Sequence, residues 1–317
     1  MVAALVLLAS QGLYPHAEKA SHAIARELMS LGDLPIAVTY PKDAKGKLPV
    51  IVWSHGMYGT RNTYKPLVDA LAGDGYVVIQ PSHGDSVERM TPEQRRALVA
   101  RPNTGATQSW DERPGEVSLC MDSFGMIEAK IPALKGKLDA SRIGVGGHSF
   151  GAWTTQALAG MELSAGARRV SFYEKRAKAF VVLSGTGPGG VVTPAGLKAM
   201  HGPMLMITGT NDTARTGDTG EWRKKAFEHA APGDKYLVWI DGATHNFGGI
   251  TGERTAAVRD FLKRAGSSAD VNAKHTAIVI SSIVAFYDAF VIKDVHAANY
   301  VRSKTIEKAG GVTVSSK

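Results

Sequence analysis

The chain has 317 residues, of which 44% are hydrophobic and 35 are glycine, and this suits a globular α/β protein with ample core material. Lys and Arg exceed Asp and Glu by 37 to 29, a net charge of +8, but they are scattered rather than massed, so they read as a solvated basic surface and no nucleic-acid motif accompanies them. A single cysteine, Cys120, excludes an intrachain disulfide, and its place in an apolar helical stretch reads as a small buried hydrophobe.

In chain order, Val2 to Ala9 is apolar enough for the core of a signal peptide, but no Lys or Arg precedes it. Ala17, Ala20 and Ala23 are the candidate small residues for cleavage. Residues 1–33 are therefore read as an N-terminal segment, either a signal-peptide remnant or a short element of the fold. Export would make the protein secreted or periplasmic; a cytoplasmic protein is the alternative.

Ile36 to Tyr40 reads as an early strand. Leu48 to Trp53 is a continuous apolar run, the pattern of a strand buried on both faces, and it ends in Ser54-His55-Gly56-Met57-Tyr58-Gly59-Thr60-Arg61. A helix follows over Tyr64 to Ala72, then a buried strand over Tyr76 to Gln80. Ser86 to Pro114 is polar and longer than an ordinary connection, so it is expected either to rim the site or to be partly mobile. Glu116 to Ile131 reads as one helix. Further strands are expected at Arg142 to Gly146, Ala179 to Ser184, Met204 to Gly209 and Tyr236 to Ile240, with helices over Phe150 to Leu163 and Glu221 to His229. Lys274 to Phe290 reads as a helix packed on the body, and its uncharged run, Thr276 to Tyr287, is too short to span a bilayer.

Short apolar strands alternating with helices predict a doubly wound, mostly parallel α/β sheet. The pattern predicts a single domain over residues 34–300, without a large cap, followed by a tail at 301–317.

Chemistry concentrates at strand ends, where such sheets gather reactive groups. Gly147-His148-Ser149-Phe150-Gly151 sits between a strand and a helix, the context of a nucleophile elbow. Flanking glycines there avoid crowded backbone, and the helix N-terminus faces the serine hydroxyl. A neutral hydroxyl needs a base, and His245, in a glycine-containing loop after a strand, is placed to serve. Asp212, ending the preceding strand, can orient the imidazole, with Asp218 and Asp241 as rivals. The amide of Phe150 is one oxyanion donor; the other is expected from Met57, with Tyr58 as the neighbouring alternative. Tyr58, Trp110, Trp153 and Phe247 are expected to line the substrate site. No metal-ligand cluster such as His-Glu-x-x-His occurs, and no metal or cofactor is expected.

His55-Gly56, Gly147-His148-Ser149-Phe150-Gly151, Gly209-Thr210-Asn211-Asp212 and His245 together resemble the α/β-hydrolase superfamily. The Trp53–Arg61 stretch and Arg113-Pro114 are similar to the dienelactone-hydrolase-like and platelet-activating-factor-acetylhydrolase-like esterases. Two departures matter: dienelactone hydrolases proper use cysteine where this chain has Ser149. In the acetylhydrolase type the acid follows the strand after the elbow, where this chain has Ser184-Gly185-Thr186, so the acid moves to Asp212. The expectation is a serine carboxylester hydrolase working through an acyl-enzyme on short-chain, aryl or polymeric esters, as a monomer or homodimer without a membrane span. A peptidase or amidase on the same scaffold and a non-catalytic binding protein are the rivals.

Overall fold

A computed structural model describes residues 11–18, 21–100, 110–166, 168–214, 217–252 and 272–317. The stretch Val2 to Ala9 and residues 101–109 of the polar connection lie outside the described residues.

A nine-stranded sheet runs through the molecule. Its strands are β1 (Ile24–Leu31), β2 (Leu34–Pro41), β3 (Leu48–Ser54), β4 (Val77–Pro81), β5 (Leu138–His148), β8 (Ala177–Leu183), β9 (Met204–Asn211), β10 (Lys235–Thr244) and β11 (Val312–Ser316), in the spatial order β1-β2-β4-β3-β5-β8-β9-β10-β11. The six strands from β4 to β10 pair in parallel. Antiparallel β1 and β2 extend one edge, and antiparallel β11 extends the other. A short hairpin, β6 (Leu163–Ala165) with β7 (Arg168–Val170), stands apart.

Alternate residues of each central strand feed opposite cores, as period-two geometry requires. Val50, Val52, Phe180 and Val182 face one side, under the helices Glu112–Asp122, Phe124–Lys130, Phe150–Leu158, Pro194–Lys198 and Gly220–His229. Ile51, Trp53, Val181 and Leu183 face the other side, under the helices Lys65–Gly73 and Ala273–Tyr287. This is the expected doubly wound α/β architecture in one domain.

Several expectations are corrected. Residues 24–31 and 312–316, set outside the main body by the sequence reading, form the two edge strands. Both are partly exposed: β1 buries only Leu31, and β11 only Val312 and Val314, so neither reads as a continuous apolar run. The helix expected over Glu116 to Ile131 is two helices divided at Ser123. The helix that starts at Ala273 continues, through a wider turn over Asp288–Ile292, to a total of 20 residues. By length and composition it could cross a membrane, with a mean hydropathy of 1.7. It lies against the sheet instead, 72% buried, and its Asp288 accepts hydrogen bonds from Tyr14 and Tyr76.

Candidate active site

The carboxyl ends of β3, β5, β8, β9 and β10 converge on one place. At the end of β5 the chain turns sharply into the helix Phe150–Leu158, with Ser149 at φ 56° and ψ −116°. A non-glycine residue in that region is strained, and the surroundings must impose it. Two observations show how: the Ser149 N–H donates to the Leu183 carbonyl at 2.9 Å, and the flanking residues admit no side chain. A Cβ on Gly147 would lie 2.3 Å from the Gly151 carbonyl oxygen, and one on Gly151 would lie 2.0 Å from that of Ser54.

His245 follows β10 and reaches back over the turn. Its Nε2 is 3.0 Å from Ser149 Oγ, and its Nδ1 is 2.7 Å from Asp212 Oδ1. The three side chains expected from sequence are thus brought together, and Asp218 and Asp241 are not the partners of the imidazole nitrogens. Asp212 is fully buried. Burial alone would raise its carboxyl, but the His245 contact, Arg223 and the Ser184 hydroxyl outweigh burial and take it down to about 2. Arg223 Nε lies 3.4 Å from Asp212 Oδ1, and its NH1 donates to the Ser184 and Gly185 carbonyls.

Two hydroxyls also hold this carboxylate. Thr208 Oγ1 donates to Oδ2 at 2.8 Å, and Ser184 Oγ donates to Oδ1 at 2.8 Å while lying 2.9 Å from His245 Nδ1. The sequence reading missed Ser184 as a site residue. It had noted that β8 ends without a carboxylate, and that strand-end position was the available signal.

The loop after β3 is fastened from below. Asp85 forms a two-pronged ion pair with the buried Arg113, the closest contact being 2.7 Å. Arg113 also donates to the His55 carbonyl at 2.7 Å and stacks on the Phe150 ring at 4.1 Å. The other oxygen of Asp85 accepts the Tyr58 N–H at 3.0 Å. Burial would raise the Asp85 carboxyl, but Arg113 and His55 hold it below the usual carboxylate range. The Tyr58 N–H, one of the two candidate loop donors, is thus committed to Asp85.

Around the site, Met57 is 46% exposed and Trp110 is 41% exposed. Trp110 stands edge-on to Trp153 at 5.9 Å, and Trp153 lies 5.9 Å from Phe150, so an aromatic path leads away from the elbow. Tyr58 is half-buried, with its hydroxyl inside. Phe247 is a correction: it is fully buried and packs edge-on against His148 at 6.1 Å, so it lies beneath the site and lines no opening. Its neighbours Gly248 and Gly249 take positive φ, 72° and 114°.

The sheet order, the strained serine elbow and the gathering of residues at the strand ends define an α/β-hydrolase fold. Comparison with known proteins adds two local likenesses. Residues 11–110 match the family model for platelet-activating factor acetylhydrolase, isoform II. A segment of 41 residues is 46% identical to a protein of Schizosaccharomyces pombe (strain 972 / ATCC 24843) named "Putative phospholipase A2", and the match covers 13% of this chain and 9% of that protein. The chain therefore resembles the platelet-activating-factor-acetylhydrolase-like group of α/β-hydrolases. The family match spans β1 to β4 and the His55–Arg61 loop, and it ends before Ser149.

Proposed function

We propose that the protein is a serine carboxylester hydrolase acting through an acyl-enzyme. The observation that carries this reading is the run of contacts from Ser149 Oγ to His245 Nε2 and from His245 Nδ1 to Asp212 Oδ1, at 3.0 and 2.7 Å.

In the proposed reaction Ser149 Oγ attacks the ester carbonyl carbon while His245 Nε2 takes the hydroxyl proton. Asp212, ionised and buried, holds the Nδ1–H and stabilises the imidazolium as it forms. The carbonyl oxygen gathers negative charge and is met by the N–H groups of Phe150 and Met57, aided by the N-terminal end of the elbow helix. Collapse breaks the bond to the alcohol, which leaves with the proton from His245. Water then attacks the acyl-enzyme, giving its proton to His245, and Ser149 departs with that proton restored. Each step uses groups of this chain and needs no metal or cofactor.

The exposed Met57 and Trp110, with Trp153 behind, offer an apolar surface beside the elbow. We assign the substrates to short-chain, aryl or polymeric esters on that basis. The likeness to an acetylhydrolase family supports a short acyl group. Hydrolysis of p-nitrophenyl acetate, butyrate and octanoate tests the assignment: rates should fall as the chain lengthens. A rate rising toward octanoate would contradict the short-acyl assignment, and hydrolysis of none of the three would contradict the esterase reading.

A further inference from the structure

The residue before the nucleophile, His148, is buried and does not touch Ser149's partner ring nitrogens, yet it is bonded at both of its own. Its Nε2 is 2.8 Å from the carbonyl oxygen of His245, and its Nδ1 is 2.9 Å from the Tyr64 hydroxyl. That hydroxyl in turn receives the N–H of Gly56 at 3.0 Å. The direction of every proton in this chain follows from chemistry. A carbonyl only accepts, so His148 Nε2 carries the hydrogen. In a neutral imidazole Nδ1 must then accept, so Tyr64 O–H donates to it, and the Tyr64 oxygen accepts from the Gly56 N–H. The chain reads Gly56 N–H to Tyr64 O, Tyr64 O–H to His148 Nδ1, and His148 Nε2–H to His245 C=O.

Its two ends are the two loops that the proposed reaction must keep in register. Gly56 immediately precedes Met57, the loop donor, and the far end is the backbone of His245 itself. The polarity survives only if His148 is neutral, because a protonated Nδ1 would oppose the Tyr64 donor. Burial, reinforced by the nearby His245, pushes His148 well below the ordinary histidine range. Packing fixes the same parts: Tyr64 stands edge-on to Trp53 at 5.8 Å, and the His148 and His245 rings are 4.8 Å apart. Tyr64 is itself held in a left-handed conformation, at φ 65°, where its N–H donates to the Thr251 carbonyl at 3.0 Å.

We infer that Tyr64 and His148 are positioning residues, a proton-ordered strut that sets the distance between the oxyanion loop and the His245 loop. The inference rests on the serine-hydrolase reading above. A shift of about 1 Å at either loop costs on the order of 100-fold in rate, so losing the strut should appear in kcat rather than in binding.

The test uses the full chain, p-nitrophenyl acetate, and a fluorophosphonate titration to count reactive serines. Tyr64→Phe and His148→Leu should each lower kcat per titrated serine about 10- to 100-fold, with KM changed less than about threefold. The double variant should be no slower than the slower single one, because the strut acts as a unit. His148→Gln supplies one acceptor and one donor at similar spacing and should recover most of the rate. Folded variants with wild-type kcat, losses confined to KM, or fully additive losses would overturn the inference. If His148→Leu does not fold, Tyr64→Phe, which removes one oxygen, carries the test. Activity that survives in Ser149→Ala would instead overturn the reading on which the strut depends.

Discussion

The hydroxyl of Ser184 donates to Oδ1 of Asp212 at 2.8 Å, from the end of one parallel strand to the end of the next. The same hydroxyl stands 2.9 Å from His245 Nδ1. A carboxylate and a hydroxyl from adjacent strands therefore share one imidazole nitrogen. Removing the hydroxyl in Ser184→Ala should lower kcat about 10-fold, the loss of one hydrogen bond to a charged group at ~1.5 kcal/mol. Steady-state hydrolysis of p-nitrophenyl acetate, read beside the melting temperature, checks this; an unchanged kcat would leave Ser184 a structural role alone.

Asp212→Asn should be far more severe. The amide is neutral and can present its NH2 to Nδ1, which favours the wrong tautomer and leaves the imidazolium unsupported. A fall in kcat of about 10³- to 10⁴-fold is expected, with KM little changed. A loss below tenfold in the folded variant would move the acid role to another carboxylate.

The elbow glycines are a matter of space. A Cβ at Gly151 would meet the Ser54 carbonyl oxygen at 2.0 Å, whereas one at Gly125 meets nothing within 4 Å. Gly151→Ala should therefore cost about 2 kcal/mol or more, while Gly125→Ala, inside the helix Phe124–Lys130, should stabilise by about 0.5–1 kcal/mol. Thermal melting of the two variants distinguishes crowding from a general dislike of substitution.

Away from the site, His16, Asp74 and Asp288 cluster where residues 14–16 meet the long helix. Tyr14 and Tyr76 donate to Asp288 at 2.9 and 2.7 Å, and His16 Nδ1 lies 3.3 Å from Asp74. Burial, then the neighbouring Asp288 charge, raises the Asp74 carboxyl to about 8. The folded form thus holds a proton that the unfolded chain releases near its ordinary value of 3.8. A raised folded pKa gives stability that is complete below the unfolded value and is lost as pH rises through about 8. The melting temperature should fall between pH 6 and pH 9, and Asp74→Asn, which imitates the protonated acid, should flatten that fall. An equal fall in both proteins would contradict a raised Asp74 carboxyl.

The central sheet was legible because β3, residues 179–183 of β8 and residues 204–207 of β9 are apolar runs buried on both faces. The Gly147 to Gly151 elbow was legible because a strand and a helix bracket it. Sequence also named Ser149, Asp212 and His245 as a group, since each ends or follows a strand, and the structure brings their side chains into contact. Edge strands β1 and β11 escaped because one face of each meets solvent, which dilutes the apolar pattern. The aromatic Phe247 looked like a pocket residue because burial direction in a loop depends on chain turns that composition does not encode. Ser184 and Tyr64 escaped for a different reason: their bonds to Asp212 and His148 span 28 and 84 residues. Nothing local marks a serine or a tyrosine as one end of such a contact.

The most direct test of the serine-hydrolase account is pre-steady-state hydrolysis of p-nitrophenyl acetate, with mass analysis of the quenched protein. The account predicts a burst of about one nitrophenolate per chain and an acetyl group on Ser149, both lost in Ser149→Ala. No nitrophenolate from the wild-type protein, or an equal rate from Ser149→Ala, would contradict it.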